Sequence, residues 1–101
     1  MTPIVPVLEK DIERPAVKLA RKNGWIVYKI RQSDPRGFPD RVFLLRETPT
    51  RRRRTVFIEF KRPGESPSHH QELAIEILRG AGNEVYVVEC MEYFKTVLEL
   101  Q

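Results

Sequence analysis

The sequence predicts an α/β fold in which helices flank a mixed, four-stranded sheet. Four short segments are rich in β-branched and aromatic residues, and they lie between segments whose apolar residues recur every three or four positions. The elements follow in the order α-β-β-β-α-β-α. Because a helix joins the last two strands, those strands should be parallel and connected by a right-handed crossover. A chain of 101 residues suits a single domain over 1–101.

The first helix is predicted over residues 7–23, where apolar residues share one face and Gly24 follows a basic last turn. Pro15 lies inside this segment, so either the helix kinks there or its regular part starts near residue 14. The short polar connection at 46–54 makes the second and third strands antiparallel. Strands are predicted at 25–30, 41–45, 55–61 and 84–90, and further helices at 66–79, with an apolar stripe of Leu73, Ile77 and Leu78, and at 91–100.

Positive charge is concentrated in the first part of the chain. Residues 1–62 hold nearly all of the lysines and arginines, whereas residues 63–101 are net acidic. This polarity favours a polyanionic partner. No apolar run approaches the roughly 20 residues of a membrane span, and the start of the chain lacks a secretory signal pattern. The single cysteine, Cys90, rules out an intrachain disulfide, favours a reducing, cytoplasmic compartment and is expected to be buried.

Three charged residues are expected to meet at one edge of the sheet. Alternation along the third strand puts Glu59 and Lys61 on the same face near its end. Asp40 starts the neighbouring antiparallel strand, so the pairing brings it to the same place. Taken singly, Asp40 is typical of a solvated strand start and Glu59 with Lys61 of an ion pair. Together, two carboxylates and one ammonium suit a hard cation such as Mg²⁺, which prefers oxygen ligands.

The stretches "GFPD" and "FIEFK" resemble the core of the PD-(D/E)xK nucleases. Over nearly its full length the chain is similar to the VRR-NUC (virus-type replication-repair nuclease) branch, with further matches in "EKDIERPAVKLARKNGW" and "SHHQELAIEILRGAGNEVYVVE". The resemblance implies a restriction-endonuclease-like fold with the element order given above. It also implies a Mg²⁺-dependent endodeoxyribonuclease, a phosphodiester hydrolase in which Mn²⁺ can substitute.

The resemblance also implies roles for particular residues. The first helix of such folds supplies one more carboxylate, and Glu13 and Glu9 are the candidates on one helix face. Glu13 lies eleven residues before Gly24, which is the usual place of this carboxylate in the related resolvases, so the resemblance favours Glu13. The other implied residues are Asp40 and Glu59 as metal ligands, the backbone carbonyl of Phe60 as an extra ligand, Lys61 as the catalytic lysine and Gln71 as a further site residue.

Some polar residues have a structural explanation as well. Gln71 completes an S-x-x-Q capping box with Ser68, and without the resemblance it is a helix cap. Ser66 followed by Pro67 is a rival start for the same helix. The adjacent His69 and His70 should point in different directions, so no zinc site is expected there.

Arginines near the predicted site are the expected phosphate contacts, namely Arg31, Arg36, Arg41 and Arg62. The run of four arginines at 51–54 sits at a hairpin tip, where a solvated turn and a DNA contact are equally consistent with the sequence. Trp25 and Tyr28 are expected in the sheet core rather than as stacking platforms for bases.

The favoured function is structure-specific cleavage of branched DNA, for which the resemblance implies four-way (Holliday) junctions as substrate and a bacteriophage as source. Symmetric cleavage of a junction needs two active sites, so we expect a two-fold homodimer, with the closing helix and the apolar arm at residues 3–8 as candidate interfaces. The alternative is a non-catalytic nucleic-acid-binding module that keeps the same fold.

Overall fold

The computed structural model describes residues 6–31 and 37–101. The helices are α1 (Glu9–Lys22), α2 (His69–Gly80) and α3 (Met91–Leu98), and the strands are β1 (Ile26–Lys29), β2 (Arg41–Leu45), β3 (Arg54–Phe60) and β4 (Glu84–Val88). The strands form one sheet in the order β1-β2-β3-β4. The β1-β2 and β2-β3 pairs are antiparallel, and β3 and β4 are parallel across the α2 crossover. The predicted α/β architecture, element order and strand directions are therefore confirmed.

The main core lies between one face of the sheet and helices α1 and α3. Three phenylalanine rings, Phe43, Phe60 and Phe94, pack against one another there, and all three are fully buried. Alternation along β3 supplies Val56, Ile58 and Phe60 to this face, as the sequence pattern predicts. Helix α2 packs on the opposite face against β4. Among the described residues, no helix is long and apolar enough to cross a membrane.

Helix α1 is continuous from its first residue despite Pro15. Of the two alternatives that Pro15 left open, a regular helix that starts only near residue 14 is therefore wrong. Pro15 is exposed, so the missing backbone donor lies on the solvent side of the helix. The first turn is fixed by Asp11, whose side chain accepts a hydrogen bond from the backbone N–H of Leu8 at 2.9 Å. This early start places Glu9 inside the helix.

Several residues that the sequence pattern predicts to be buried are exposed in the structure. The predicted stripe of α2 is exposed at Leu73 and at Ile77, which is 71% exposed, whereas Ile75 is buried. The helix lies over the β4 side of the sheet, so only a narrow face of it is covered. Trp25 is buried as expected, but Tyr28 on the edge strand β1 is exposed. The expectation that Cys90 is buried is wrong, because this residue is exposed where α3 begins.

Arg54 differs from its three neighbours in the arginine run because it forms an ion pair with a described carboxylate. Its guanidinium forms two hydrogen bonds to Glu84, at 2.6 and 3.1 Å, and a third to the carbonyl of Val97 at 3.0 Å. The same group lies over the ring of Trp25, 5.5 Å from the centroid. Arg54 thus ties β3 to β4 and α3, and to the indole that follows α1.

Candidate metal centre

Three carboxylates converge at the end of the sheet where α1 begins. One oxygen from each of Glu9, Asp40 and Glu59 lies within 4.8 Å of one from each of the others, and no other such group occurs within residues 6–31 and 37–101. Asp40 precedes the Arg41–Ile58 pair of the β2-β3 ladder, and Glu59 follows it. The predicted meeting of Asp40 and Glu59 is therefore present in the structure. A third carboxylate from α1 completes a set of oxygen donors suited to a divalent cation.

The turn before β2 fixes the direction in which Asp40 points. Gly37 has a φ of +85°, a conformation that side chains disfavour, and a Cβ atom there would lie 2.4 Å from the backbone of His70 in α2. Phe38 packs edge-on against Phe57, and Pro39 is fully buried. The backbone of this turn is thus held between α2 and the sheet, just before the carboxylate.

Asp40 is also bound to both neighbouring strands. Its carbonyl accepts a hydrogen bond from the N–H of Ile30 at 2.8 Å, next to β1. Its Oδ2 accepts a longer one from the N–H of Phe60, at 3.3 Å, at the end of β3. Both the backbone and the side chain of Asp40 are therefore positioned by strand ends rather than by solvent.

Glu59 is the buried charged group in the described part of the chain, with only 2% of its surface exposed. Its Oε1 atom is buried and has no hydrogen-bond partner among the described residues. Burial first, and then the neighbouring Asp40, raise the pKa of Glu59 to about 9. An unpartnered carboxylate oxygen in such a position is costly unless a cation or a proton compensates it. This observation fits a metal ligand well.

Glu9 and Lys61 complete the electrostatics of the centre. Burial, followed by the charge of Asp40, raises the pKa of Glu9 above its ordinary value. Lys61 acts in the opposite direction and lowers the pKa of both Glu9 and Glu59. Its side chain is half-buried and forms no ion pair with any described residue. The ammonium is therefore close to the carboxylates without being neutralised by one of them.

The structure does not bring Glu13 into the carboxylate cluster. This outcome is contrary to the prediction that Glu13, rather than Glu9, is the carboxylate supplied by α1. Glu13 accepts a hydrogen bond from the Nε of Arg41 at 2.7 Å, and both side chains are largely buried. The helix extends back to Glu9, one turn nearer the sheet edge, and Glu9 takes the place assigned to Glu13. Strand alternation contains the missing signal: Arg41 points to the opposite face from Asp40, toward α1, where it needs a carboxylate.

Gln71 is used as a helix cap. Its Oε1 accepts a hydrogen bond from the N–H of Ser68 at 2.8 Å, and its own N–H donates to the Ser68 hydroxyl at 3.2 Å. The capping-box interpretation is confirmed over the rival start at Ser66. A catalytic role for Gln71 stays a prediction. The exposed histidines beside it, His69 and His70, belong to no metal-binding group in the described part of the chain.

The four arginines expected to contact phosphate lie in different environments. Arg31 is exposed, whereas Arg41 is paired with Glu13. Arg62 is exposed and ion-paired with Glu65, three residues on. Arg36 lies outside the described residues. Of the three described, Arg31 is the one with no ion pair to a described carboxylate.

Comparison with known proteins identifies the family. Residues 4–92 match the family profile described as the VRR-NUC domain. The chain belongs to the VRR-NUC family. A solved structure described as a VRR_NUC domain matches 92% of this chain and 97% of its own, with a TM-score of 0.68 and 26% identity.

A curated relative of this VRR-NUC chain comes from a bacteriophage. It is p44, a protein proposed to be a nuclease, from Acyrthosiphon pisum secondary endosymbiont phage 1. The two are 33% identical over 86 residues, which is 85% of this chain and 87% of the relative. The family match, the shared fold and this relative together support nuclease function.

Proposed function

We propose that this VRR-NUC protein is an endodeoxyribonuclease that hydrolyses phosphodiester bonds with Mg²⁺, for which Mn²⁺ can substitute. The observation that carries the proposal is the buried, unpartnered oxygen of Glu59 within a cluster of three carboxylates. When bound there, a divalent cation supplies positive charge that polarises the phosphate and favours deprotonation of the attacking water.

Each residue of the centre has a distinct role in this proposal. Glu9, Asp40 and Glu59 hold the cation, and the backbone carbonyl of Phe60 is a further ligand. Lys61, which has no ion pair with a described carboxylate, stabilises the negative charge that develops on the phosphate. Glu59 must give up its proton when the cation binds, so its burial couples metal affinity to pH.

The proposed substrate is branched DNA, with four-way junctions first among the candidates, and the proposed active form is a homodimer. One chain carries one carboxylate cluster in its described part, and paired cuts in a junction need two. The relationship to a phage protein supports a phage source and action inside a bacterial host cell. Helix α3 buries Phe94, Val97 and Leu98 in the core and exposes Tyr93, so Tyr93 is the large apolar side chain that this helix offers to a dimer contact.

The remaining candidate interface is the apolar arm at residues 3–8. Residues 3–5 of this arm lie outside the described residues, and its described part exposes Val7 and Leu8. Light scattering at the concentration used for cleavage should give twice the chain mass. A monomer that still cleaves junctions in paired fashion would contradict the dimer.

A nicking assay on junction, flap and linear DNA tests the activity. Cleavage should require Mg²⁺ or Mn²⁺ and should fall about 100-fold or more in Asp40→Asn, since one charged ligand is lost. Glu47→Gln is the matched control, because it removes one negative charge from an exposed loop residue. Cleavage that persists in EDTA or in Asp40→Asn would refute the proposed centre. DNA binding without any metal-dependent cleavage would instead favour the non-catalytic module.

A metal titration distinguishes Glu9 from Glu13 as the ligand supplied by α1. Mn²⁺ affinity, measured by calorimetry, should fall by about 10-fold or more in Glu9→Gln. Glu13→Gln should keep the affinity and lower the thermal midpoint, because Arg41 loses its partner. The reverse pattern, with affinity lost only in Glu13→Gln, would show that α1 is placed differently when the cation is bound.

A further inference from the structure

One flank of α1 carries a line of basic side chains. Lys10, Arg14, Lys18 and Arg21 follow one another at spacings of three or four residues, and all four are exposed. None of them forms an ion pair with a described carboxylate. The metal centre lies at the beginning of the same helix, where Glu9 is the first residue. The positive charge on this flank therefore starts beside the proposed catalytic site and is not neutralised within the described fold.

A groove of about 310 Å³ runs along this flank, lined by Arg14, Val17, Lys18, Arg21 and Arg41. Two of its cations are held in place by the protein: Arg41 by Glu13 at 2.7 Å and Arg21 by the carbonyl of Val27 at 3.2 Å. Arg14 and Lys18 have no hydrogen bond to a described group that would restrain them. The groove is thus open to solvent and is lined both by cationic side chains that the protein holds in place and by cationic side chains that no described group restrains.

The basic flank continues into the hairpin tip at residues 46–53. Arg51 donates a hydrogen bond to the carbonyl of Asn23 at 3.0 Å, so the tip lies at the far end of α1. Arg52 and Arg53 are exposed at this tip and form no ion pair with a described carboxylate. Helix α1 has 14 residues and is therefore about 21 Å long. We use the term basic track for Lys10, Arg14, Lys18, Arg21, Arg52 and Arg53.

We propose that the basic track binds the sugar-phosphate backbone of a duplex arm of the DNA substrate and leads it away from the metal centre. This inference rests on the nuclease function proposed above, because the track begins beside Glu9, which is one of the proposed metal ligands. A length of about 21 Å spans roughly six base-pair steps of duplex. Contacts of lysine and arginine to phosphate carry no base information, so the track holds any sequence.

Duplex DNA fits the track better than a membrane surface does. An amphipathic helix binds a bilayer through its apolar face. In α1 that face is occupied, since Ile12, Ala16 and Ala20 are buried in the core. The helix therefore offers only its charged flank to a partner. The exposed surface of α2, on the opposite face of the sheet, carries Glu72 and Glu76 and would repel phosphate.

Duplex binding measured by fluorescence anisotropy in EDTA tests the track without cleavage. The test variant is Arg14→Gln/Lys18→Gln, and the control Arg79→Gln/Lys95→Gln makes the same change in net charge elsewhere. With a duplex of about 20 base pairs at about 100 mM salt, the test variant should bind roughly 10-fold or more weakly. The slope of log affinity against log salt should become shallower by about 2. A tip variant, Arg52→Gln/Arg53→Gln, should show the same reduced slope.

Several results would overturn the proposal. Wild-type affinity and slope in the test variant would do so, as would an equal loss in the control. Unchanged DNA affinity together with lost binding to vesicles of anionic phospholipid would mean that the flank faces a membrane. Thermal midpoints near that of the wild type for all variants exclude unfolding as the cause. Because binding is measured in EDTA, a protein that failed the Mg²⁺ nicking assay could still pass this test, and the two failures remain distinct.

Discussion

The stability of the metal-free protein should fall as pH rises through neutrality, because Glu59 keeps a proton in the folded state that it loses in the unfolded state. Burial and the neighbouring Asp40 raise the pKa of this carboxyl to about 9, whereas an unfolded chain titrates it near the ordinary value for glutamic acid. Between those two values the folded state binds one more proton than the unfolded state. Each pH unit in this window then removes about 1.4 kcal/mol from the free energy of unfolding.

Urea unfolding in EDTA at pH 6, 7 and 8 measures this effect, and the loss over that range should be about 3 kcal/mol. Glu59→Gln imitates the protonated carboxyl, so its stability should lack this slope. All other groups that titrate between pH 6 and 8 are the same in both proteins, so the difference between them isolates Glu59. Equal pH slopes in the wild type and Glu59→Gln would refute the reasoning.

Adding Mn²⁺ should reverse the pH dependence of the stability, since the cation competes with the proton for Glu59. Metal affinity should rise with pH up to about 9, and binding near neutral pH should release about one proton from this group. Calorimetry in two buffers of different ionisation enthalpy measures the released proton directly. Metal binding in the wild type that releases no proton at pH 7 would show that Glu59 is already ionised there.

Three further predictions concern stability. Arg54→Ala should lower the free energy of unfolding by about 2 kcal/mol, because charge-assisted hydrogen bonds are lost, while Arg53→Ala at the exposed tip should leave it nearly unchanged in the same urea assay. Gly64→Ala should cost about 1–2 kcal/mol for its positive φ alone, and Gly37→Ala should cost clearly more and weaken Mn²⁺ binding, since its Cβ meets backbone; equal losses would contradict that contact. Ser68→Ala should cost about 1 kcal/mol through the lost helix cap, visible as a lower thermal midpoint.

The strand pairings could be predicted from the sequence because local features determine them. A short polar connection forces antiparallel neighbours, and a helix between strands forces a parallel crossover. Those two rules alone predict that Asp40 lies beside Glu59. The predicted bounds of β2, 41–45, agree with the structure because turn residues and a polar connection flank a short apolar run.

Choosing Glu9 over Glu13 required information that helix periodicity does not contain. Both residues lie on the same face of α1, and the position of the helix relative to the sheet, where Arg41 pairs with Glu13, decides that Glu9 is the one that reaches the carboxylate cluster. The prediction of a buried apolar stripe on α2 is wrong for a similar reason. Leu73 and Ile77 have helical spacing, but α2 packs at the β4 side of the sheet, and a partial cover buries only Ile75. Patterns of residues indicate a face, and packing decides what covers it.

The contact between Gly37 and α2 has a consequence for how this centre should be mapped. His70 and Gln71 meet the glycine with backbone atoms, so replacing either side chain with alanine leaves the contact in place. An alanine scan of α2 would therefore pass over the support that holds Asp40 in position. A scan that adds a methyl group on the glycine side, or that removes a residue from the first turn of α2, would reveal it.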